Sequence, residues 1–342
     1  MTQKSSTRDS VAVGIGSAGS RIVSLLSRES LPVSRYAYLS CDENDFEFVG
    51  EGEKILLESP VDQKLTPSMV RGLSIAAQGR IRKILRGSRV VFVIAGLGGA
   101  TGTGLAPVVA KLAQDEGATT IGVAVMPFEF EKKLKFYAGV SLKRFRAAAE
   151  GVIVIDNDIL LKSSPEDSLT DIYKMANGEA VRALTSIFAK PAESDVPVAL
   201  NKVLGSVLQD GYTLLGLARS SSTDKTEEAL AGAVISISKI AEAREANHAV
   251  VLLTGDASLS GTEVGLAVRR LGPMMNNQAV DVEYGVNYAG TSQLQVSLLA
   301  SGFKTTKYDD YDPLAKVFGK NVIDDEMDYS LPGGLEMLVP CD

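Results

Sequence analysis

The chain has 342 residues with 35 Lys and Arg against 42 Asp and Glu, a formal charge of −7, with one His, two Cys and no Trp. That length accommodates about two domains with real cores, and 45% apolar with 23% charged residues is the balance of an ordinary soluble globular protein. The acidic balance argues against nucleic acid as the main partner. His248 alone excludes a poly-His metal site and disfavours a Ser-His-Asp triad, and the two cysteines, Cys41 and Cys341, make no disulfide framework and suit a reducing cytoplasm.

Residues 1–10 are polar, lack an apolar signal core and read as a flexible arm. Val11–Gly14 is a short apolar run. It enters Gly14-Ile15-Gly16-Ser17-Ala18-Gly19-Ser20-Arg21, after which Ile22, Val23, Leu25 and Leu26 keep helical spacing. Tyr36–Ser40 reads as a second strand, ending at Cys41 and Asp42, and Met69–Leu85 as a basic amphipathic helix. Arg89–Ala95 is a β-branched buried strand that runs into Gly96-Leu97-Gly98-Gly99-Ala100-Thr101-Gly102-Thr103-Gly104. A helix over Leu105–Glu116 and strands at Thr119–Met126 and Val152–Ile155 follow. Strands alternating with helices predict an α/β fold with a parallel sheet covered on both faces.

Ser164-Pro165-Glu166-Asp167 has a helix-start pattern, and Leu169 to Phe188 keeps a helical period to about Lys190, before Pro191. The spacing therefore predicts a long, mostly buried helix over 164–190. Beyond it come helices at Leu200–Leu208, Thr226–Glu242 and Thr262–Leu271 and strands at Ala249–Thr254, Asp281–Tyr288 and Gln293–Ser301. The expected division is a nucleotide-binding domain over 11–163, the central helix, a second, smaller α/β domain with a mixed sheet over 191–303, and an acidic tail over 304–342. No stretch approaches the ~18–20 apolar residues of a membrane span.

Gly14–Gly19 fits a G-x-G-x-x-G turn between strand and helix, with Asp42 where a ribose-binding acid would sit. On its own it reads equally as a nucleotide site or as a tight structural turn. Gly98–Gly104 carries more information. Two glycine loops on one parallel sheet can converge on a single polyphosphate at helix N-termini. Neither loop has the Lys-Ser/Thr of a P-loop, so backbone amides, helix dipoles and Mg²⁺ would neutralise the phosphates.

Gly98–Gly104 resembles the tubulin/FtsZ signature Gly-Gly-Gly-Thr-Gly-Thr-Gly, with Ala100 in place of the third glycine. Pro127-Phe128-Glu129-Phe130-Glu131-Lys132-Lys133 resembles a second segment of the same family, and the likeness extends from Val11 to Gly302. The resemblance implies a GTP/GDP-binding domain, a central helix and an activation-type domain. It implies phosphate contacts from Gly16, Ser17, Ala18, Gly19, Ser20, Arg21, Gly98, Gly99, Ala100, Thr101, Gly102, Thr103 and Gly104. It puts Asp42, Glu131 and Lys135 near the ribose, Tyr173 against the base and Asn177 on its polar edge. Alone, Tyr173 and Asn177 would pass for a core aromatic and a helix polar residue.

Several departures qualify this, the first being Arg21, which stands where the family has an asparagine after the glycines. Gly178 replaces an acid beside Asn177, Lys135 replaces an arginine, and Ser59–Ser68 lacks the glycines of a γ-phosphate loop. The family completes its active site in trans with a loop bearing two carboxylates. Here the matching positions are Ala199 and Lys202, or Val198 and Asn201 in the adjacent register, with Asp195 upstream. Neither register supplies an acid, so weak or lost hydrolysis is expected. The resemblance further implies a cytoplasmic, head-to-tail filament of the cell-division or cytoskeletal type. Its tail, Asp328–Val339, would reach a membrane-tethering or division partner. Two other readings are a non-polymerising pseudo-GTPase that regulates a true FtsZ or another division protein, and a dinucleotide-dependent oxidoreductase using Gly14–Gly19 and Asp42.

Overall fold

The computed structural model describes residues 10–59, 64–160, 167–189, 192 and 196–311. The arm before Ser10, the cap at Ser164, Asp195 and the tail segment Asp328–Val339 lie outside the described residues.

Six strands of the first half are parallel. They are β1 Ser10–Ile15, β2 Arg35–Ser40, β3 Glu53–Leu56, β4 Val90–Gly96, β5 Thr119–Met126 and β6 Gly151–Asp156. Their order is β3-β2-β1-β4-β5-β6. β1 and β6 are buried at every position, and β4 and β5 at nearly every one, because helices cover both faces of the sheet. On this side lie α1 Gly16–Leu26, α2 Pro67–Leu85, α3 Ala100–Asp115, α4 Lys132–Ala148 and the short α5 Asn157–Leu160.

The central helix α6 spans Leu169–Phe188. It starts five residues later than the Ser164 pattern predicts, because the Ser168 hydroxyl accepts from the Asp171 N–H and caps it. After it come α7 Leu200–Val207, β7 Tyr212–Ser220, α8 Lys225–Ser238, β8 His248–Gly255, α9 Gly261–Met274, β9 Asp281–Tyr288 and β10 Leu294–Phe303. α1, α6 and α7 bury their apolar sides in one core, and α2, α3, α4, α8 and α9 in the other.

The strands of the second half continue the same sheet. β7 lies parallel to β6, β10 runs antiparallel to β7 and β8, and β9 is parallel to β8, which completes a ten-stranded mixed sheet. The junction is narrow, with Ile153 opposite Thr213 and Val154 opposite Leu214. β7 itself is not among the sequence-predicted strands. Its central Gly216 reads as a turn residue, but a Cβ there would lie 2.4 Å from the Ala233 carbonyl oxygen, so glycine is needed for α8 to pack.

Three other expectations are corrected. α3 begins at Ala100, inside the Thr/Gly run, and not at Leu105, so the presumed loop is the first turn of a helix. α4 is absent from the predicted elements because its buried stripe consists largely of Ala138, Gly139, Ser141 and Ala148, which give a weak amphipathic signal. The first part of the expected tail is folded. Lys307–Tyr311 forms a 3-10 turn on α4, where Tyr308 is buried and Gly139 leaves room for Tyr311.

Candidate functional site

β1 and β4 are parallel neighbours, with Ile15 opposite Ala95. The chain leaves β1 toward β2 and leaves β4 toward β5, in opposite directions along the sheet. Such a switch point opens a crevice outside the strand C-termini. A cleft of about 360 Å³ lies there. A larger cavity of about 630 Å³ sits between α6 and the second half of the sheet, but no glycine turn lines it.

Of the helices that begin at the cleft, two start in a glycine turn. α1 starts directly at Gly16, and α3 follows the N-cap Gly99. Neither start has a side-chain cap or an acid in its first turn, so their leading N–H groups stay available. α2, α6 and α9 are capped by Thr66, Ser168 and Ser260. Uncapped N–H groups plus the helix dipoles make the cleft floor an anion-binding surface.

The glycines divide by role. A Cβ on Gly19 would lie 2.2 Å from the Ile94 carbonyl oxygen, and one on Gly102 would lie 2.0 Å from that of Gly96. These two let the helix starts press against β4. Gly99 differs: its φ is −74°, and a Cβ there would meet nothing within 4 Å. Neither backbone nor packing requires glycine at 99, and a side chain there would project into open space beside the cleft.

The structure brings Gly16, Ser17, Ala18, Asp42, Gly99, Ala100, Thr101, Gly102, Glu131, Tyr173 and Asn177 to the cleft wall. Other predicted residues stand behind it. Ser20 is fully buried and Arg21 lies 5.0 Å over the Phe48 ring. Thr103 accepts the Gly98 N–H at 2.8 Å, fixing the turn from below. A Cβ on Gly104 would meet the Pro67 carbonyl at 2.7 Å. Lys135 does not line the cleft. Its ammonium pairs with Glu129 and sits 5.1 Å over the Tyr311 ring.

At the far wall the Tyr173 hydroxyl donates to Glu131, whose other oxygen accepts the Phe128 N–H at 2.8 Å. Burial, then the hydrogen bond and charge of Glu131, hold the phenol protonated far above its ordinary range. Asn177 lies one helical turn on and is buried. Asn157 lines the cleft too, and its side-chain oxygen is buried without a partner. Sequence reasoning missed it and Asp45. A polar triplet, Asp156-Asn157-Asp158, directly after a buried strand was the available signal for Asn157.

Asp42, Asp45 and Glu131 line the cleft and no Lys or Arg does. Among the described residues no group of three or more His, Cys, Asp or Glu could hold a metal. Burial pushes the neighbouring Cys41 thiol up, against a hydrogen bond to Thr101.

The segment around Val198, Ala199, Asn201 and Lys202 is remote. Val196 pairs with Val286 on β9, at the far end of the sheet from β3. β9 stands six strand positions from β4, about 29 Å at ~4.8 Å per strand. Ala199 is the exposed N-cap of α7, Asn201 is exposed, and Lys202 pairs with Glu283 at 2.7 Å. No helix among the described residues is long and apolar enough to cross a membrane.

Residues 10–165 match the Tubulin/FtsZ family, GTPase domain. The chain is 32% identical over 238 residues to the cell division protein FtsZ of Mycoplasmopsis pulmonis, across 66% of this chain and 59% of that protein. It is 30% identical over 267 residues to cell division protein FtsZ 1 of Archaeoglobus fulgidus, across 76% of this chain and 72% of that protein. The fold matches CetZ2 of Haloferax volcanii, solved as a GTPγS-bound protofilament, with a TM-score of 0.72 over 90% of this chain and 98% of that one, at 22% identity. The cleft at the β1/β4 switch point, the two glycine helix starts and these likenesses agree: the chain belongs to the tubulin/FtsZ family.

Proposed function

We propose that this protein is a GTP-binding, filament-forming protein of cytoskeletal or cell-division type whose hydrolysis is weak or lost. The observation that carries nucleotide binding is the convergence of two uncapped helix N-termini, at Gly16 and Ala100, on one cleft. Backbone N–H groups there would hold the phosphates. The Tyr173 ring would stack on the base, and the amides of Asn177 and Asn157 would read its edge. The unpartnered Asn157 oxygen suits a base N–H donor, which compensates for Gly178 standing where the family has an acid.

The cleft wall is acidic, so a bound polyphosphate must bring its own counter-charge. A Mg²⁺ ion held through the phosphates would supply it, and the residues present fit that arrangement better than a protein-built metal site.

The Ala199–Lys202 segment cannot reach the cleft of its own chain, so it would act only on a neighbour in a head-to-tail filament. There it would present no carboxylate to orient water. The structure of CetZ2 as a protofilament supports self-association. The decisive experiment is the nucleotide content of the purified protein together with steady-state turnover. Copurifying guanine nucleotide with little turnover at assembling concentration is expected. Copurifying NAD(P), or turnover equal to that of an active FtsZ, overturns the reading. The same lack of acids favours a second reading, a pseudo-GTPase regulator; pelleting only in the presence of a division partner would select it.

A further inference from the structure

The chain is acidic overall, yet residues 64–149 hold 14 Lys and Arg against 4 Asp and Glu. This segment is α2, α3, β4, β5 and α4. α3 packs between α2 and α4, so the cations collect on the solvent side of that helical layer. Arg80 and Lys83 are exposed on α2 and Arg86 at its C-cap, and Lys132 and Lys133 are exposed on α4. Lys83, Lys133 and Arg144 have no carboxylate within ion-pair distance among the described residues.

The chain reaches the last described residue on this same layer. Asp309 pairs with Lys143 at 3.8 Å, and Tyr311 occupies the space left by Gly139 under the Lys135 ammonium. Beyond it, residues 321–342 carry six acids and no Lys or Arg, four of them within Asp324–Asp328. The twelve residues 312–323 can span at most about 40 Å. α2 is 19 residues long, about 28 Å, so the acidic run can reach any part of the layer.

We propose that the basic face of α2 and α4 is the docking surface for the chain's own acidic C-terminal segment, centred on Asp324, Asp325, Glu326 and Asp328. The contact already made by Asp309 and Tyr311 begins the path. Opposite charge carries it on, and tethering raises the local concentration of the acids far above that of an outside competitor. Long, exposed Lys and Arg side chains hold such a segment weakly and reversibly, so the association responds to ionic strength.

The test is carbodiimide cross-linking of the full-length chain, which joins carboxylates to nearby lysines, followed by mass spectrometry. Mixing light and heavy isotope-labelled chains separates links within a chain from links between chains. At low salt, intrachain links from Asp324–Asp328 to Lys83, Lys132, Lys133 or Lys143 are expected, and few to Lys174 or Lys202, on α6 and α7, which pack on the opposite face of the sheet. Yield should fall about fivefold in 0.5 M salt. It should also fall in the Arg86→Glu, Arg144→Glu double variant, which lowers the net charge of residues 64–149 from +10 to +6 while keeping the reporting lysines. Links spread evenly over all exposed lysines, links only between chains, or yields indifferent to salt overturn the proposal. The salt series on the unmodified chain decides it even if the double variant does not fold.

Discussion

Ser141 supplies to α3 the hydrogen bond that Pro107 removes. Pro107 lies inside α3 and has no N–H for the carbonyl four residues earlier, on Thr103. The Ser141 hydroxyl of α4 donates to that carbonyl at 3.1 Å, in a buried position. The Thr103 hydroxyl in turn accepts the Gly98 N–H, so the compensation reaches the glycine turn of the cleft. Ser141→Ala should cost about 1–2 kcal/mol, the penalty of a buried acceptor left unmade. Urea unfolding checks it. In a Pro107→Ala background, where the helix regains its own N–H, the same change should cost less than half as much.

Two glycines three residues apart should respond in opposite ways. Gly102→Ala pushes a Cβ to 2.0 Å from the Gly96 carbonyl oxygen and should destabilise the fold by about 3 kcal/mol or more. Gly99→Ala meets no atom and has an ordinary φ, so unfolding should change by less than about 0.5 kcal/mol. Guanine-nucleotide affinity should nonetheless fall about tenfold, near 1.4 kcal/mol, because Gly99 lines the cleft and the methyl group would crowd the bound phosphates. Titration with a fluorescent GTP analogue beside the unfolding curves separates the two effects.

That contrast shows how far the residues alone could be read. The strand–glycine–helix order, the parallel half of the sheet and most of the cleft wall follow from runs such as Val90–Gly96, whose burial on both faces leaves a plain apolar signature. What distinguishes Gly99 from Gly102 is long-range, since it depends on where the Gly96 carbonyl lies. β7 was obscured by Gly216 for the same reason, and α4 by its small buried residues. Lys135 is the reverse case. Its place in a motif pointed to the ribose, but Glu129 and Tyr311 hold it elsewhere. Asn157 is marked in the sequence only by its polar triplet after a buried strand; the structure adds that its oxygen is buried without a partner.

Tyr173 offers a test of base stacking that keeps the fold intact. Its ring is half exposed at the cleft and packs edge-on to Phe128, centroids 5.4 Å apart. Tyr173→Phe removes only the donation to Glu131 and should alter nucleotide affinity by less than about threefold. Tyr173→Ala removes the stacking plane, which is worth about 1–3 kcal/mol per base, and should weaken binding at least fivefold. Equal effects of the two variants would place the contribution in the hydroxyl and not in the ring.

α6 is tied to the second half of the sheet by one charged contact with a defined pH signature. Glu179 accepts from Arg219 of β7 at 2.5 and 3.0 Å, and Gln295 of β10 accepts from the same guanidinium at 2.7 Å. Burial raises the Glu179 carboxyl, but Arg219 and Arg182 outweigh it and hold the group below the usual carboxylate range. A depressed folded value means the contact stabilises above the unfolded value near 4.5 and is lost as pH falls through the folded one. Glu179→Gln should therefore cost about 2 kcal/mol at pH 7. The difference from the parent should shrink as the pH is lowered from about 5 toward 3. Paired thermal unfolding curves across that range measure it.

The most direct test of the catalytic reading is to restore the missing acids. Ala199 is an exposed N-cap and Lys202 is exposed, its partner Glu283 lying on the surface of β9. Asp at position 199 is moreover a better helix cap than Ala, so Ala199→Asp should stabilise α7 by about 0.5–1 kcal/mol. Lys202→Asp places a carboxylate opposite Glu283, a mild repulsion between solvated groups. Folding should survive both changes. If the segment completes a neighbour's cleft, the double variant should raise GTP turnover by about 10²-fold over the parent, the ordinary gain from a positioned acid or base. The gain should appear only above the concentration at which the protein assembles, since the acids and the cleft that uses them belong to different chains. A rise that is independent of concentration would mean that the loop acts within its own chain, against the six strand positions that separate them. No rise at any concentration, with guanine nucleotide still bound, would leave the pseudo-GTPase reading as the better account.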